Sequence, residues 1–256
     1  NQLTVLTLDA AGNWSSTAPG DASTTWTAVA IASGTDGLAR VLWQCVDGRS
    51  GIEIIGSAGR QAVFVFAPTG SLIPVDIAVA ENGEARILFT GSEGEALVGR
   101  VDSSGALTPG PRYGPIRGWT AVAIADGPGG TRVLWRCTDG RGGTSLHDAG
   151  GVMLGSSVWP ASAGYAAEDL AVGADGSPRL LRTNPNGDVE ASTIDAAGHP
   201  SAAQILSNSG FTPRRISAGA DGKTRLLWNA ADGSGSVWIL NADNTVKEKH
   251  ETPPEP

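Results

Sequence analysis

The sequence predicts an all-β chain, a β-propeller of five four-stranded blades. Three observations point there: a phrase repeated five times at near-constant spacing, turn signals that recur in register with it, and a glycine-rich, charge-poor composition. The phrase Arg-aliphatic-Leu followed by Trp, Phe or Arg begins at Arg40, Arg86, Arg132, Arg179 and Arg225, in steps of 46, 46, 47 and 46 residues. Seven residues after each arginine stands an acidic or amide residue followed by glycine: Asp47-Gly48, Glu93-Gly94, Asp139-Gly140, Asn186-Gly187 and Asp232-Gly233. A self-similar period of this length, carrying short strands rather than helical spacing, is the signature of propeller blades.

Each repeat resolves into two hairpins. The first strand is apolar: Thr27–Ala32, Asp76–Ala80, Thr120–Ala125, Asp169–Gly173 and Arg215–Gly219. Turns at Thr35-Asp36-Gly37, Asn82-Gly83, Pro128-Gly129-Gly130, Asp175-Gly176 and Asp221-Gly222 lead into the second strand, which carries the repeated phrase. Asn-Gly and Asp-Gly between apolar runs are strong hairpin signals, because both residues tolerate the positive φ that the favoured turns demand. A third strand, such as Gly235–Leu240, follows the Asp-Gly turn and ends in turns like Asp195-Ala-Ala-Gly198. A weaker fourth strand, for example Ala62–Ala67, completes the unit. Four strands of five to seven residues plus turns account for about 46 residues.

The third-strand pattern occurs six times, because Leu3–Gly12, with its Asp9-Ala-Ala-Gly12 turn, matches Ser236–Asn244. The expected organisation is one propeller over residues 1–250: an N-terminal hairpin within 1–20 and repeats starting near 26, 76, 119, 169 and 216. Both ends offer the same half-blade, so the extra hairpin either displaces its twin or packs outside; six blades with one incomplete is the alternative. The tail from Glu248 to Pro256 reads as a linker stub, with 251–256 set outside the propeller. The chain opens mid-pattern at Asn1, as an excised or processed extracellular or cell-surface domain would, and no signal peptide stands at its start.

Composition narrows the function classes. Hydrophobic residues make up 40% of the chain, charged residues 17%, and there are 36 glycines and 15 prolines. A net charge of −8 with no Lys/Arg stripe argues against nucleic acid as a partner. No apolar run approaches the roughly 20 residues of a spanning helix, so membrane insertion is not expected. Cys45 and Cys137 hold one equivalent position in repeats one and three, which are not neighbours in a ring. Their separation should exceed the ~7 Å Cα limit for a disulfide, and free, packed thiols are expected.

The recurring Arg40, Arg86, Arg132, Arg179 and Arg225 are expected to be structural. A guanidinium beside apolar neighbours can span blades and fork onto a carboxylate or carbonyl. Trp43, Phe89, Trp135, Arg182 and Trp228, three residues on, read as interblade packing, with Arg182 marking blade four as divergent. Asn184-Pro-Asn-Gly-Asp188 is the nearest approach to a calcium loop, but no repeat alternates acidic ligands as a hard cation requires, and no metal or cofactor is expected. His147, His199 and His250 are unrelated in the repeat frame, and no nucleophile elbow, zinc-protease motif or phosphate loop occurs, so no catalytic residues are assigned. Asn13-Trp14-Ser15 matches a glycosylation sequon.

The turns between second and third strands share one face with the blade-to-blade connections. That face gathers Asp47, Arg49, Asp139 and Arg141 with Trp26 and Trp119, which open their blades. An exposed tryptophan beside a carboxylate and a guanidinium suits a sugar, whose C–H face stacks on the ring while its hydroxyls meet the polar groups. Repeats one and three alone carry the full set, as two equivalent sites or as a duplicated two-blade unit that has drifted less.

The run Asp221-Gly-Lys-Thr-Arg-Leu-Leu-Trp228 with Ser236-Val-Trp-Ile-Leu-Asn241 resembles a blade repeat of secreted multidomain bacterial proteins. The resemblance covers nearly the whole chain, with blade five the best match and blade four the poorest. In architecture the chain resembles the five-bladed tachylectin-type lectins, which implies amino-sugar pockets between blades. Their repeat motif is absent, so the resemblance assigns no binding residue. The expected function is therefore non-catalytic, lectin-like binding of a glycan. A protein-interaction or spacer propeller of a larger secreted protein is the alternative, and a glycoside hydrolase or lyase comes third.

Overall fold

The computed structural model describes residues 5–8, 14–17, 24–219 and 221–252. Every regular element among them is a β-strand. Five four-stranded antiparallel sheets, each built in sequence order, are the blades of a five-bladed β-propeller. The chain divides into two compact units, residues 1–120 and 121–256.

In the first unit a two-stranded sheet, β1 (Val5–Leu8) and β2 (Trp14–Thr17), precedes two blades. Blade 1 comprises β3 (Trp26–Ser33), β4 (Ala39–Cys45), β5 (Ser50–Gly56) and β6 (Gly59–Phe66). Blade 2 comprises β7 (Ile73–Val79), β8 (Ala85–Thr90), β9 (Ala96–Val101) and β10 (Leu107–Tyr113). Blade 3 follows with β11 (Trp119–Gly127), β12 (Gly130–Cys137), β13 (Gly142–His147) and β14 (Met153–Trp159). Blade 4 holds β15 (Ala166–Val172), β16 (Pro178–Thr183), β17 (Val189–Thr193) and β18 (Gln204–Leu206). Blade 5 holds β19 (Phe211–Ala218), β20 (Thr224–Ala230), β21 (Gly235–Leu240) and β22 (Val246–Thr252).

First strands begin earlier than the apolar pattern suggests, and the cause is a bulge. Pairing slips between Ala28 and Ala30, Pro74 and Asp76, Ala167 and Asp169, and Pro213 and Arg215. One extra residue reverses the inward–outward alternation, so the stretch before each bulge falls out of phase with the stretch after it. β8 is buried on both faces along all six residues and therefore reads as a continuous apolar run.

Neighbouring blades of one unit meet through apolar layers. Leu42, Ile52 and Phe66 of blade 1 pack on Ile77, Ile87 and Phe89 of blade 2. Leu134 and Trp159 of blade 3 meet Leu170 and Leu180 of blade 4, while Leu181 and Val189 of blade 4 meet Leu226, Trp228 and Trp238 of blade 5. Each such buried side chain contributes about 1.5–3 kcal/mol by leaving water.

The repeated arginine clasps these layers. Arg40 forks onto the Asp36 carboxylate with bonds of 2.7 and 2.5 Å, donates to the Leu38 carbonyl in its own hairpin, and reaches the Gly83 carbonyl of blade 2 at 3.1 Å. Arg179 repeats the clasp with Asp175, Ser177 and the Gly222 carbonyl of blade 5, and adds the Thr224 hydroxyl. Arg225 holds Asp221 and the Lys223 carbonyl, and Arg86 pairs with Glu84 at 3.0 Å. Arg132 differs, since burial alone pulls its pKa down. Both cysteines are free and buried.

Packing decides the place of the N-terminal hairpin, which the sequence left open, and pairing changes the expectation for the tail. The N-terminal hairpin does not displace its C-terminal twin: β21 and β22 complete blade 5, and Val5 of β1 packs on Val41 and Ile55 of blade 1. Residues 248–252 are no linker, because β22 runs to Thr252 and pairs Glu251 with Ser236 and Thr252 with Gly235. Its alternating Lys and Glu suit an outermost strand, where charge discourages further pairing. Around Asn184, the side-chain oxygen accepts the Asn186 and Asp188 amides and the amide nitrogen donates to Asp188, so turn formation occupies these groups. Among the described residues no cluster of three or more His, Cys, Asp or Glu is placed to hold a metal. Asn13 of the sequon, the Asp9-Ala-Ala-Gly12 turn and residues 253–256 lie outside the described residues. Among the described residues no helix is long and apolar enough to cross a membrane.

Candidate functional site

The site forms on the face of blade 1 that turns away from blade 2. Trp26 opens β3 and pairs with Cys45 at the end of β4, beside the tight turn that follows. In that turn Gly48 has φ +88°, a conformation open to glycine and strained for other residues. The Arg49 amide donates to Asp47 at 3.0 Å and its Nε returns to the same carboxylate at 2.8 Å. The Arg49 amide, then the Cys45 thiol, then the Arg49 side chain hold the Asp47 carboxyl below its ordinary range. The Arg49 guanidinium carbon lies 5.7 Å from the Trp26 ring centre, within cation–π range. Trp26, Asp47 and Arg49 therefore stand together, as the turn spacing implies. Trp26 is half-buried rather than free-standing.

Below this rim runs a cleft of about 220 Å³, lined by Trp26, Trp43, Gly51, Glu53, Arg60, Val63 and Val65 among others. Alternation along β4, β5 and β6 puts Trp43, Gly51, Glu53, Val63 and Val65 on one face. Gly51 keeps the floor low: a β-carbon there would stand 2.8 Å from the Phe64 carbonyl oxygen and 3.5 Å from the edge of the Trp26 ring. The Glu53 carboxylate, 3% exposed, accepts the Trp43 indole N–H at 3.1 Å and the Arg60 Nε at 2.5 Å. Two aromatic walls and two valines thus enclose a charge-paired carboxylate.

Sequence reasoning assigned Trp43 to packing and passed over Glu53 and Arg60. The available signal was Ile52-Glu53-Ile54-Ile55, a lone acid inside an apolar strand. Its counterparts in the repeat frame are Gly99, Ser145, Ser192 and Trp238, so no shared motif drew attention to it.

Blade 3 repeats the Asp–Arg pair of the rim and rebuilds the floor. Arg141 pairs with Asp139 at 2.8 Å as Arg49 does with Asp47, and the Cys137 thiol leads the causes that lower the Asp139 pKa. Trp119 is half-buried at the start of β11. Beneath, the Trp135 indole donates to the Ser145 hydroxyl at 2.8 Å, which lies 2.8 Å from His147 Nε2, while Nδ1 lies 3.1 Å from the Gly151 carbonyl. A carbonyl can only accept, so Nδ1 carries the proton and Nε2 accepts from Ser145. His147 is fully buried, and burial pushes its pKa down. The two repeats are thus alike in their Asp–Arg pair and unlike in floor.

No protein-family model and no curated protein matches the chain. Solved structures do. AofleA from Arthrobotrys oligospora superposes with a TM-score of 0.68 at 12% identity, over 94% of this chain and 77% of that one. The SapL1 lectin, solved with α-methyl fucoside, gives 0.62 at 15% identity over 95% and 87%. A Lactobacillus plantarum protein gives 0.61 at 17% identity over 96% and 76%. At such identities the likeness is one of fold, and by fold this chain stands among propellers that include a sugar-bound lectin.

Proposed function

We propose that the protein is a non-catalytic carbohydrate-binding module and that the blade 1 cleft receives the sugar. One observation carries the reading: Trp26 and Trp43 flank a carboxylate already held by an indole N–H and a guanidinium. Aromatic walls cover the C–H face of a pyranose, and each carboxylate oxygen keeps a lone pair for a hydroxyl. Arg49 and Asp47 at the rim supply further donors and acceptors. The fucoside-bound SapL1 lectin, a fold neighbour, names the first ligand to try. Binding of this kind suits an extracellular or cell-surface setting.

The test is a glycan array followed by titration with α-methyl fucoside, read by tryptophan fluorescence and calorimetry. Trp26→Ala and Glu53→Gln are each expected to weaken binding about tenfold or more, about 1.4 kcal/mol, with the circular dichroism spectrum unchanged. Silence across a broad array would overturn the reading.

A protein surface is the second reading. It is favoured by the exposed apolar residues of outer strands: Val63 and Val65 on β6, Leu154 and Val158 on β14, and Ile205 on β18. Silence across the glycan array would move the weight to it.

A further inference from the structure

The outermost strand of each blade pairs on one side only, so its far edge presents backbone N–H and C=O groups to whatever approaches. Four of these five strands carry a guard against further pairing. β10 holds Pro109 and Pro111, and its register slips between Pro109 and Arg112. β14 has a bulge at Leu154, followed by Gly155. β18 spans only three residues, and β22 carries Lys247, Glu248, Lys249 and Glu251. Proline, bulges, short length and charge are the devices that keep edge strands single.

β6 lacks all of them over its second half. From Ala62 to Phe66 it reads Ala-Val-Phe-Val-Phe, and its register on β5 is unbroken there; the slip at Gln61 precedes the run. Val63 and Val65 are each 52% exposed. Arg60, at the start of the strand, has its charge met by Glu53 at 2.5 Å. Phe64 and Phe66 turn to the opposite face and join the apolar layer against blade 2, which fixes the strand in place. Among the described residues no strand lies along its far edge.

The run is its own complement. Two copies of β6 related by a two-fold axis through Phe64 run antiparallel and set Ala62 opposite Phe66 and Val63 opposite Val65. Every cross-strand pair is then apolar, the smallest side chain falls opposite one of the largest, and no charge meets a like charge. We propose that the protein dimerises along this edge, joining blade 1 of two copies into one continuous sheet. The added strand lies in the plane of the sheet, so the pairing stands whether or not the cleft takes a sugar. A ladder this short is smaller than the ~1,200 Å² at which standard interfaces begin, so a micromolar rather than nanomolar dimer is expected.

Sedimentation equilibrium of the full chain, up to about 500 µM and without sugar, tests this. A concentration-dependent dimer is expected, and amide exchange of the native chain should slow over Ala62 to Phe66 as concentration rises. Val63→Lys with Val65→Lys sets like charges opposite one another in both cross-pairs and should raise the dissociation constant at least tenfold. Val63→Lys with Val65→Glu sets opposite charges there and should recover most of that loss, which a register centred elsewhere does not allow. The substituted positions are exposed, and the exchange measurement needs no variant. A native chain that stays monomeric throughout overturns the proposal. So does slowed exchange outside β6 alone, a dimer indifferent to the two lysines, or no recovery with the lysine–glutamate pair. No sugar enters the experiment, so its failure leaves the blade 1 reading to its own test.

Discussion

Arg40 shows how one side chain can serve two blades. Its guanidinium is buried, and its bonds run to a carboxylate four residues back and to a carbonyl 43 residues ahead. Arg40→Ala leaves the Gly83 carbonyl with one donor fewer and should cost about 2 kcal/mol in urea unfolding. Arg40→Lys should recover little of that, because an ammonium cannot fork onto Asp36 and reach the neighbouring blade at once. At the same scale Glu53 is the residue on which the sugar reading turns. It is the acid that Trp43 and Arg60 converge on, and its replacement by glutamine keeps the shape while removing the charge.

At the scale of the element, the third strands decide how alike the blades are. β5 places Glu53 under an indole, β13 places Ser145 and His147 there, and β21 places Trp238. The β13 arrangement has a pH consequence. The folded state holds His147 neutral, with a pKa below its ordinary 6.5. Its contribution to stability is therefore full above about pH 6.5 and is lost as the pH falls below that value toward the folded-state pKa. Asp148, the nearby charge, works the other way and does not cancel the effect of burial. Urea midpoints measured between pH 7.5 and 5 should fall for the native chain. They should fall less for His147→Gln, which removes the titrating ring.

For the whole molecule, the clasps recur in both units and titrate together. The Arg40, Arg179 and Arg225 guanidinium groups lower the pKa values of Asp36, Asp175 and Asp221 to about 2. Carboxylates depressed on folding add stability that is present above about pH 4 and lost as the pH falls through about 2. All three are more than a third exposed, so solvent screening keeps each contribution small. The expected result is a melting temperature level from pH 7 to about 4.5, apart from the His147 effect, that then drops toward pH 2.5. The drop should be shallower in the triple Asp→Asn variant.

Most of this architecture can be read from the residues. The spacing of Arg40, Arg86, Arg132, Arg179 and Arg225 determines five blades, because one four-stranded unit takes about 46 residues. Asp-Gly and Asn-Gly determine where the hairpins turn, because few other pairs accept the required φ. The pairing of Arg49 with Asp47, and of Arg141 with Asp139, follows from the same local rules. What only the tertiary structure decided lies across the ladder: the bulges in the first strands of four blades, the strand that carries the chain to Thr252, and the N-terminal hairpin seated on Val41 and Ile55 instead of in its twin's place. It also decided that Trp43, Glu53 and Arg60 converge while Trp228, Ser236 and Trp238 meet no acceptor among the described residues. The physical reason is register. A turn is specified by two or three neighbouring residues, but which side chains share a sheet face depends on how separate strands pair, and one slipped residue reverses every face beyond it.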